Sequence, residues 1–406
     1  MKTCRARRPL TLFTSNHMES DEGLVRSSLS TFTSDLYTQL IKHQHEVSNL
    51  FVSPTSIWIA MSMTEAGSRG ETRKEMMNTL RLPSHMDDEK MHELIGNTMM
   101  NCFESVKGVD VSLANRLFIL RATPIEERFR KLLQKCYKSD SEQLDSGSAD
   151  AKRDRMNSWV SEKTKGKIKQ LLPPGSIDQE TLITIINTIY FRGSWREVFQ
   201  KEATTDAPFY KLDGSKQIVK MMWTEKKYPY MPLPEIEAQA LRIPFMHRDW
   251  EMLIVLPDEK EGLPDLLSYL QKPGKIDTIL TGRYCPEKVM LNLPRFKLGE
   301  GPAVDVKKIL QSLGMNLVFE HGRADLTGIS KSEPLVVSEV MHKAILEVDE
   351  QGATAAAATA VGVCTAVSFV PEVRIEFNVD HPFFVAIVFD QTIPVFLGHV
   401  TSPESS

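Results

Sequence analysis

The stretch Leu182-Ile-Thr-Ile-Ile-Asn-Thr-Ile-Tyr-Phe191 places the tightest limit on the fold. Its apolar, β-branched and aromatic residues fall on both faces of a period-two pattern, so the strand they form must be covered on both sides. A central strand between packed layers meets that requirement, and the rest of the chain must supply the layers.

The flanking sequence is suited to that task. Leu24, Leu29, Phe32, Leu36 and Leu40 have helical spacing over 24–41. Asn49-Leu-Phe-Val-Ser-Pro-Thr-Ser-Ile-Trp-Ile-Ala predicts a short strand and a Ser-Pro helix start. The helix then runs to about Ala66, apolar nearly all round and therefore buried, with Gly67 and Gly70 beyond it. Amphipathic helices are predicted at 71–80 and 88–106, a strand at 109–120, a helix at 124–137, and a helix pair broken near Gly166 at 149–172. Strands follow at 219–223, 238–244, 252–256 and 288–293, helices at 263–271 and 304–313, and two apolar strands around Asp390 within 377–396. No repeat of fixed period and no long linker interrupts this pattern, which predicts one large mixed α/β (α+β) domain. Residues 1–17 are basic and lack acids, so 1–23 is expected to be a disordered extension, 24–403 the folded domain and 404–406 a tail.

Several function classes are disfavoured. The formal charge is −4, with basic residues after the first few interspersed among acids, which gives no nucleic-acid face. No run of eighteen apolar residues predicts a membrane span, and the acidic start of 88–106 offers no heparin-type patch. Cys4, Cys102, Cys136, Cys285 and Cys364 are scattered without a CxxC pair, so neither a disulfide framework nor a zinc site is expected. The histidines form no HExxH; His43-x-His45 reads as a polar helix end. GxSxG, GxxxxGK[ST] and GxGxxG are all missing, and Cys364 has no neighbour to activate it, so no enzyme activity, metal or cofactor is expected. Asp87/Asp88 and the run 163–169 read as solvated faces. The start lacks a signal-peptide core and no Asn-x-Ser/Thr acceptor occurs. A cytoplasmic location is therefore expected, with extracellular delivery by unconventional export as the alternative.

One segment fits no ordinary element. From Gly352 to Ala366 the chain has no charge, aromatic or proline. Its four consecutive alanines suggest a helix, but Thr354, Thr359, Val361, Val363 and Thr365 are β-branched and Gly352 and Gly362 weaken a helix further. Two readings stand at this point: a low-complexity loop, or a strand of small residues able to enter a packed sheet.

The order of several sequence blocks resembles the serpins over about 24–403. These blocks are Asn49-Leu-Phe-Val-Ser53-Pro54-Thr-Ser56, Asn157-Ser-Trp159-Val160 with Thr164-Lys-Gly166-Lys-Ile168, and Asn187-Thr-Ile-Tyr190-Phe191-Arg-Gly193-Ser-Trp195. They continue with Leu293-Pro-Arg-Phe296, Ala324-Asp-Leu-Thr-Gly-Ile329, Val337-Ser-Glu-Val-Met-His342-Lys343-Ala344, and Asp380-His-Pro-Phe383 with Phe396-Leu-Gly398. Within the family the chain resembles the intracellular ovalbumin-type branch. The resemblance implies a single domain of several helices packed on three β-sheets, with an exposed reactive-centre loop at about 350–371. It also implies a monomer prone to loop-sheet polymerisation. The expected activity is suicide-substrate inhibition: a serine protease cleaves the loop, which then inserts into the large sheet with the acyl-enzyme attached. A non-inhibitory carrier or chaperone, or an inhibitor of papain-like cysteine proteases, is the alternative.

Particular residues take roles by that resemblance. Glu350, Gly352, Ala353, Thr354, Ala355, Ala356, Ala357 and Ala358 match the hinge, where the family more often has Thr in place of Ala353. Ser53, Ser56, Asn187 and His342 match the shutter beneath the opening sheet. Glu350 and Arg295 match an ion pair at the top of the sheet beside Trp195. Counting seventeen positions from Glu350 inclusive places the cleavage-directing residue at Ala366, before Val367. The interval to His381 is longer than usual, which keeps Val367 and Phe369 as alternatives. Ala366 or Val367 suits an elastase-like pocket and Phe369 a chymotrypsin-like one. No Lys or Arg lies between Glu350 and Arg374, which disfavours trypsin-like targets. Length is consistent with the proposed travel: a compact chain of this size is roughly 55 Å across, and about fifteen residues of strand span roughly 50 Å.

Overall fold

The computed structural model describes residues 20–44, 46–350 and 374–403. Helices α1 (Asp21–Lys42), α2 (Pro54–Glu65), α3 (Gly70–Thr79), α4 (Asp88–Met99), α5 (Glu127–Tyr137) and α6 (Ala149–Lys163) precede the predicted central strand; α7 (Leu263–Leu270), α8 (Lys275–Leu280) and α9 (Lys307–Ser312) follow it. The first strands are β1 (Leu50–Val52), β2 (Val109–Ile119), β3 (Ser141–Gln143), β4 (Ile183–Gly193) and β5 (Thr205–Tyr210). Next come β6 (Lys216–Leu233), β7 (Ala238–Pro244), β8 (Trp250–Pro257), β9 (Cys285–Pro294) and β10 (Phe296–Leu298). The last are β11 (Val304–Asp305), β12 (Val337–Val348), β13 (Ile375–Asn378), β14 (Phe383–Phe389) and β15 (Ile393–Val400).

The strand predicted to be central is β4, in a sheet ordered β10-β12-β4-β2-β3 with β11 added on β12. Every residue of β4 except Arg192 is buried. One face is covered by α6, where Trp159 and Val160 pack with Phe118, Ile186, Tyr190 and Ile345. The other face joins the main core with α2, which is buried along its whole length.

The three expected sheets form two hydrogen-bonded networks, because two of them share β6. The larger runs β1-β15-β14-β8-β7-β6-β9-β13, with β5 also on β6. Residues 216–221 of β6 pair with β5, 221–230 with β9 and 230–233 with β7. An 18-residue strand can span roughly 60 Å, long enough to pass from one layer to the next.

Three expectations change. Ser20 Oγ accepts from Gly23 N–H at 3.1 Å and caps α1, so residues 21–23 form a helical turn and the folded part begins before 24. Beyond Gly166 no second helix follows α6. Asn157 Oδ1 accepts from the N–H groups of Leu171 and Leu172 at 3.0 and 2.9 Å, and its Nδ2 donates to Leu172 O at 2.9 Å. That clamp holds 168–172 irregular. The helix expected at 304–313 is shortened to α9 because Val304 and Asp305 pair with His342 and Met341. Asp88, expected on a solvated face, keeps 45% of its side chain exposed while ion-paired with Arg73, which also binds the buried Glu65 at 2.8 Å. No helix among the described residues is long and apolar enough to cross a membrane.

Candidate functional site

Strands β12 and β4 run parallel, in register from Val337 against Ile183 to Leu346 against Phe191, with one irregularity after Val337. Their outer neighbours are antiparallel: β10 on β12 and β2 on β4. The other parallel pairs, β2–β3 and β9–β13, are short. The β12–β4 contact is thus a long parallel seam in the middle of a largely antiparallel sheet.

A row of polar residues crosses this seam halfway along it. His342 on β12 lies opposite Asn187 on β4, which lies opposite Asn115 on β2. The N-terminus of α2 presses on the row. Ser53 Oγ accepts from Ser56 N–H at 3.2 Å and Pro54 occupies the first turn, so the helix starts directly beneath the sheet. Ser53 N–H donates to His342 Nε2 at 3.0 Å. That bond makes Nε2 the acceptor, so Nδ1 carries the proton and donates to Asn187 Oδ1. Asn187 Nδ2 in turn faces Ser56 O at 3.0 Å, Ser56 Oγ and Asn115 Oδ1. Ser53 Oγ also donates to Val395 O at 2.6 Å, tying the cluster to β15. Burial drives the His342 pKa down to about 3, so the ring stays neutral. All four shutter residues named from the sequence therefore meet in one buried network. Asn115 joins them unforeseen; its signal in the sequence is an amide inside an otherwise apolar strand pattern.

At the upper end of the seam the chain leaves β12 through Asp349 and Glu350. Trp195, stacked on Phe245 with ring centroids 4.7 Å apart, donates Nε1–H to Asp349 O at 2.7 Å. Arg192 pairs with the Asp349 carboxylate at 3.1 Å. The Glu350 side chain is buried: Thr204 Oγ1 donates to its Oε1 at 2.9 Å, Arg295 Nη1 lies 3.7 Å from the same oxygen, and Phe199 N–H donates to Glu350 O at 3.1 Å. Thr204 and Phe199 were not singled out by sequence reasoning. The hinge residues Gly352, Ala353, Thr354, Ala355, Ala356, Ala357 and Ala358 and the bond candidates Ala366, Val367 and Phe369 lie outside the described residues. So do 1–19 and 404–406. The chain resumes at Arg374, whose Nε lies 3.5 Å from Glu225 Oε1.

This geometry contains no activated nucleophile. Both His342 nitrogens are engaged with Ser53 and Asn187, and no group of three or more potential metal ligands occurs among the described residues. What it offers is a seam between two central strands, locked by a polar cluster, with the chain emerging at one end of it.

The family model described as Serpin (serine protease inhibitor) matches residues 27–403. The chain is 35% identical over 382 residues to a leukocyte elastase inhibitor of Xenopus laevis, spanning 93% of this chain and 99% of that protein. It is likewise 35% identical over 376 residues to serpin B6 of Macaca fascicularis, spanning 92% and 98%. Uncleaved ovalbumin matches its structure with a TM-score of 0.81 at 27% identity, covering 93% of this chain and all of that one (100%).

Proposed function

Because this chain belongs to the serpin family, and so has the role of a non-enzymatic protease inhibitor, we propose that it traps serine proteases as a suicide substrate. The observation that carries this reading is the parallel β12–β4 seam, with the chain leaving β12 at Asp349 and Glu350. A segment that turns back after Glu350 runs antiparallel to β12 and, β4 being parallel to β12, antiparallel to β4 as well. Its insertion replaces one parallel contact by two antiparallel ones, the pairing that is more stable per residue. About a dozen added backbone hydrogen bonds, at roughly 1 kcal/mol net each, make insertion downhill.

In this mechanism the protease's serine attacks the carbonyl carbon of the bait residue, the peptide bond breaks, and the new amino terminus departs with the C-terminal fragment. The ester-linked enzyme is then drawn along the sheet before water hydrolyses the ester. Small uncharged residues from Ala353 to Ala358 suit both states of the segment. They are tolerable in water as bait, and they add no buried charge as a strand. Ala366 or Val367 as bait favours elastase-like enzymes, and Phe369 chymotrypsin-like ones.

Elastase, chymotrypsin, trypsin and a papain-like cathepsin, each mixed with the protein and resolved on a denaturing gel, test this reading. A band at the summed mass less the C-terminal fragment is expected with elastase or chymotrypsin. Cleaved product with no stable adduct from any of the four would reject inhibition. Mass analysis of the released C-terminal peptide then fixes the scissile bond.

A further inference from the structure

Both stems of segment 351–373 are fastened near one short stretch of β6. At the first stem Glu350 lies beside Arg295, whose backbone N–H donates to Lys220 O at 2.8 Å. At the second, Arg374 lies 3.5 Å from the Glu225 carboxylate, which also binds Lys288 at 3.1 Å. Trp223 stands on the strand between Lys220 and Glu225. It is 42% exposed, whereas the other four tryptophans are each 4% exposed or less.

The register explains its direction. Trp223 alternates with the buried Met222 and Thr224, and lies opposite Asn292 of β9. Over 289–293 of β9, Met290 and Asn292 are half-buried, while Val289, Leu291 and Leu293 between and beside them are fully buried. Trp223 therefore lies on the outward face of the β6–β9 pair. Its indole N–H has no hydrogen-bond partner among the described residues.

We infer that this outward face, centred on Trp223 with Met290 and Asn292, is a second contact surface for the protease that attacks the loop. The inference rests on the suicide-substrate reading. Protease–inhibitor contacts bury about 800 Å² on each partner, and a bound loop alone leaves the ground between its stems available. An enzyme seated on a loop anchored at Arg295 and Glu225 stands over the strand that joins those anchors. Tryptophan supplies large, rigid contact area and dominates the energetics of many interfaces. The fitting partner is a serine protease with an apolar patch and an acceptor for the indole N–H beside its active-site cleft. Part of target choice then lies outside the loop sequence.

The test uses the full chain and elastase whose nucleophilic serine is replaced by alanine, so that docking is read without acylation. Trp223→Ala is expected to raise Kd about tenfold, the scale of a moderate interface hot spot. Trp223→Phe should raise it less, and Ile218→Ser, an exposed apolar site elsewhere on β6, should leave it unchanged. Thermal unfolding of each free variant reports folding, and nicking of the free loop by papain reports its own exposure. Equal Kd values for wild type and both Trp223 variants overturn the inference. So does a parallel change in papain nicking, which would mean that Trp223 packs against its own loop. Tryptophan-dependent docking without a stable adduct from active elastase would leave the surface standing and sink the suicide mechanism. An adduct with docking indifferent to Trp223 would do the reverse.

Discussion

His342 Nε2 accepts the backbone N–H of Ser53 at 3.0 Å, and this single contact ties the seam strand β12 to the first turn of α2. The same ring reaches Asn187 on the facing strand through Nδ1. Any widening of the seam that moves β12 away from α2 or β4 must break one of these bonds in a dry interior.

His342→Ala leaves the Ser53 N–H and Asn187 Oδ1 buried without their partner. Two such groups cost about 2–6 kcal/mol. The expected result is a lower unfolding midpoint and faster chain-to-chain polymerisation on warming, read by native gel electrophoresis at a series of temperatures. An unchanged polymerisation rate would show that the polar row does not hold the seam closed.

Buried neutral histidines also set a pH dependence. His342 is depressed to about 3 and His399, beside the Tyr37 hydroxyl, to about 4, both chiefly by burial. In the unfolded chain each titrates near its ordinary value of about 6.5, so between that pH and the folded value the unfolded state binds more protons. Stability conferred by keeping the rings neutral is therefore full above about pH 6.5 and declines as the pH falls towards 4 and 3. Urea unfolding at pH 7, 6 and 5 should show falling midpoints, and His342→Gln should flatten the slope. A slope identical in wild type and variant would contradict the assignment.

Glu350 is held by Thr204 at 2.9 Å and by Arg295 at 3.7 Å. Arg295 is about one-third exposed, so the ion pair itself contributes no more than about 1 kcal/mol. Arg295→Ala and Thr204→Val should each speed spontaneous loop insertion or polymerisation a few-fold, with Thr204→Val at least as effective because its bond is shorter and Glu350 is buried. Heat-induced polymerisation that leaves both variants at the wild-type rate would remove Glu350 from the control of the seam.

The parts legible in the sequence were those governed by uniform patterns. β4 was readable because apolar residues on both of its faces leave only a central position, and α2 because a Ser-Pro start precedes a run that is apolar all round. β12, its direct partner, gave no comparable strand signal. Ser338, Glu339, His342 and Lys343 interrupt its alternation, and the irregularity between Val337 and Glu339 shifts its phase. The shutter was reached through the family resemblance, since Ser53, Asn187 and His342 lie far apart in the chain and meet only through the β12–β4 register. Asn115, Thr204 and the clamp from Asn157 belong to the same class, being polar side chains whose partners are fixed by tertiary placement.

Thermal unfolding before and after a single cut in the loop reports whether the β12–β4 seam accepts a strand. Nicking near Ala366 by a small amount of protease, followed by calorimetry, reads insertion without requiring a trapped enzyme. The unfolding midpoint should rise by at least about 15 °C, a gain lost in Ala353→Arg, where a charge would have to enter the sheet first. A cut protein that melts with the intact one would contradict it, because the β12–β4 seam would then have accepted no strand.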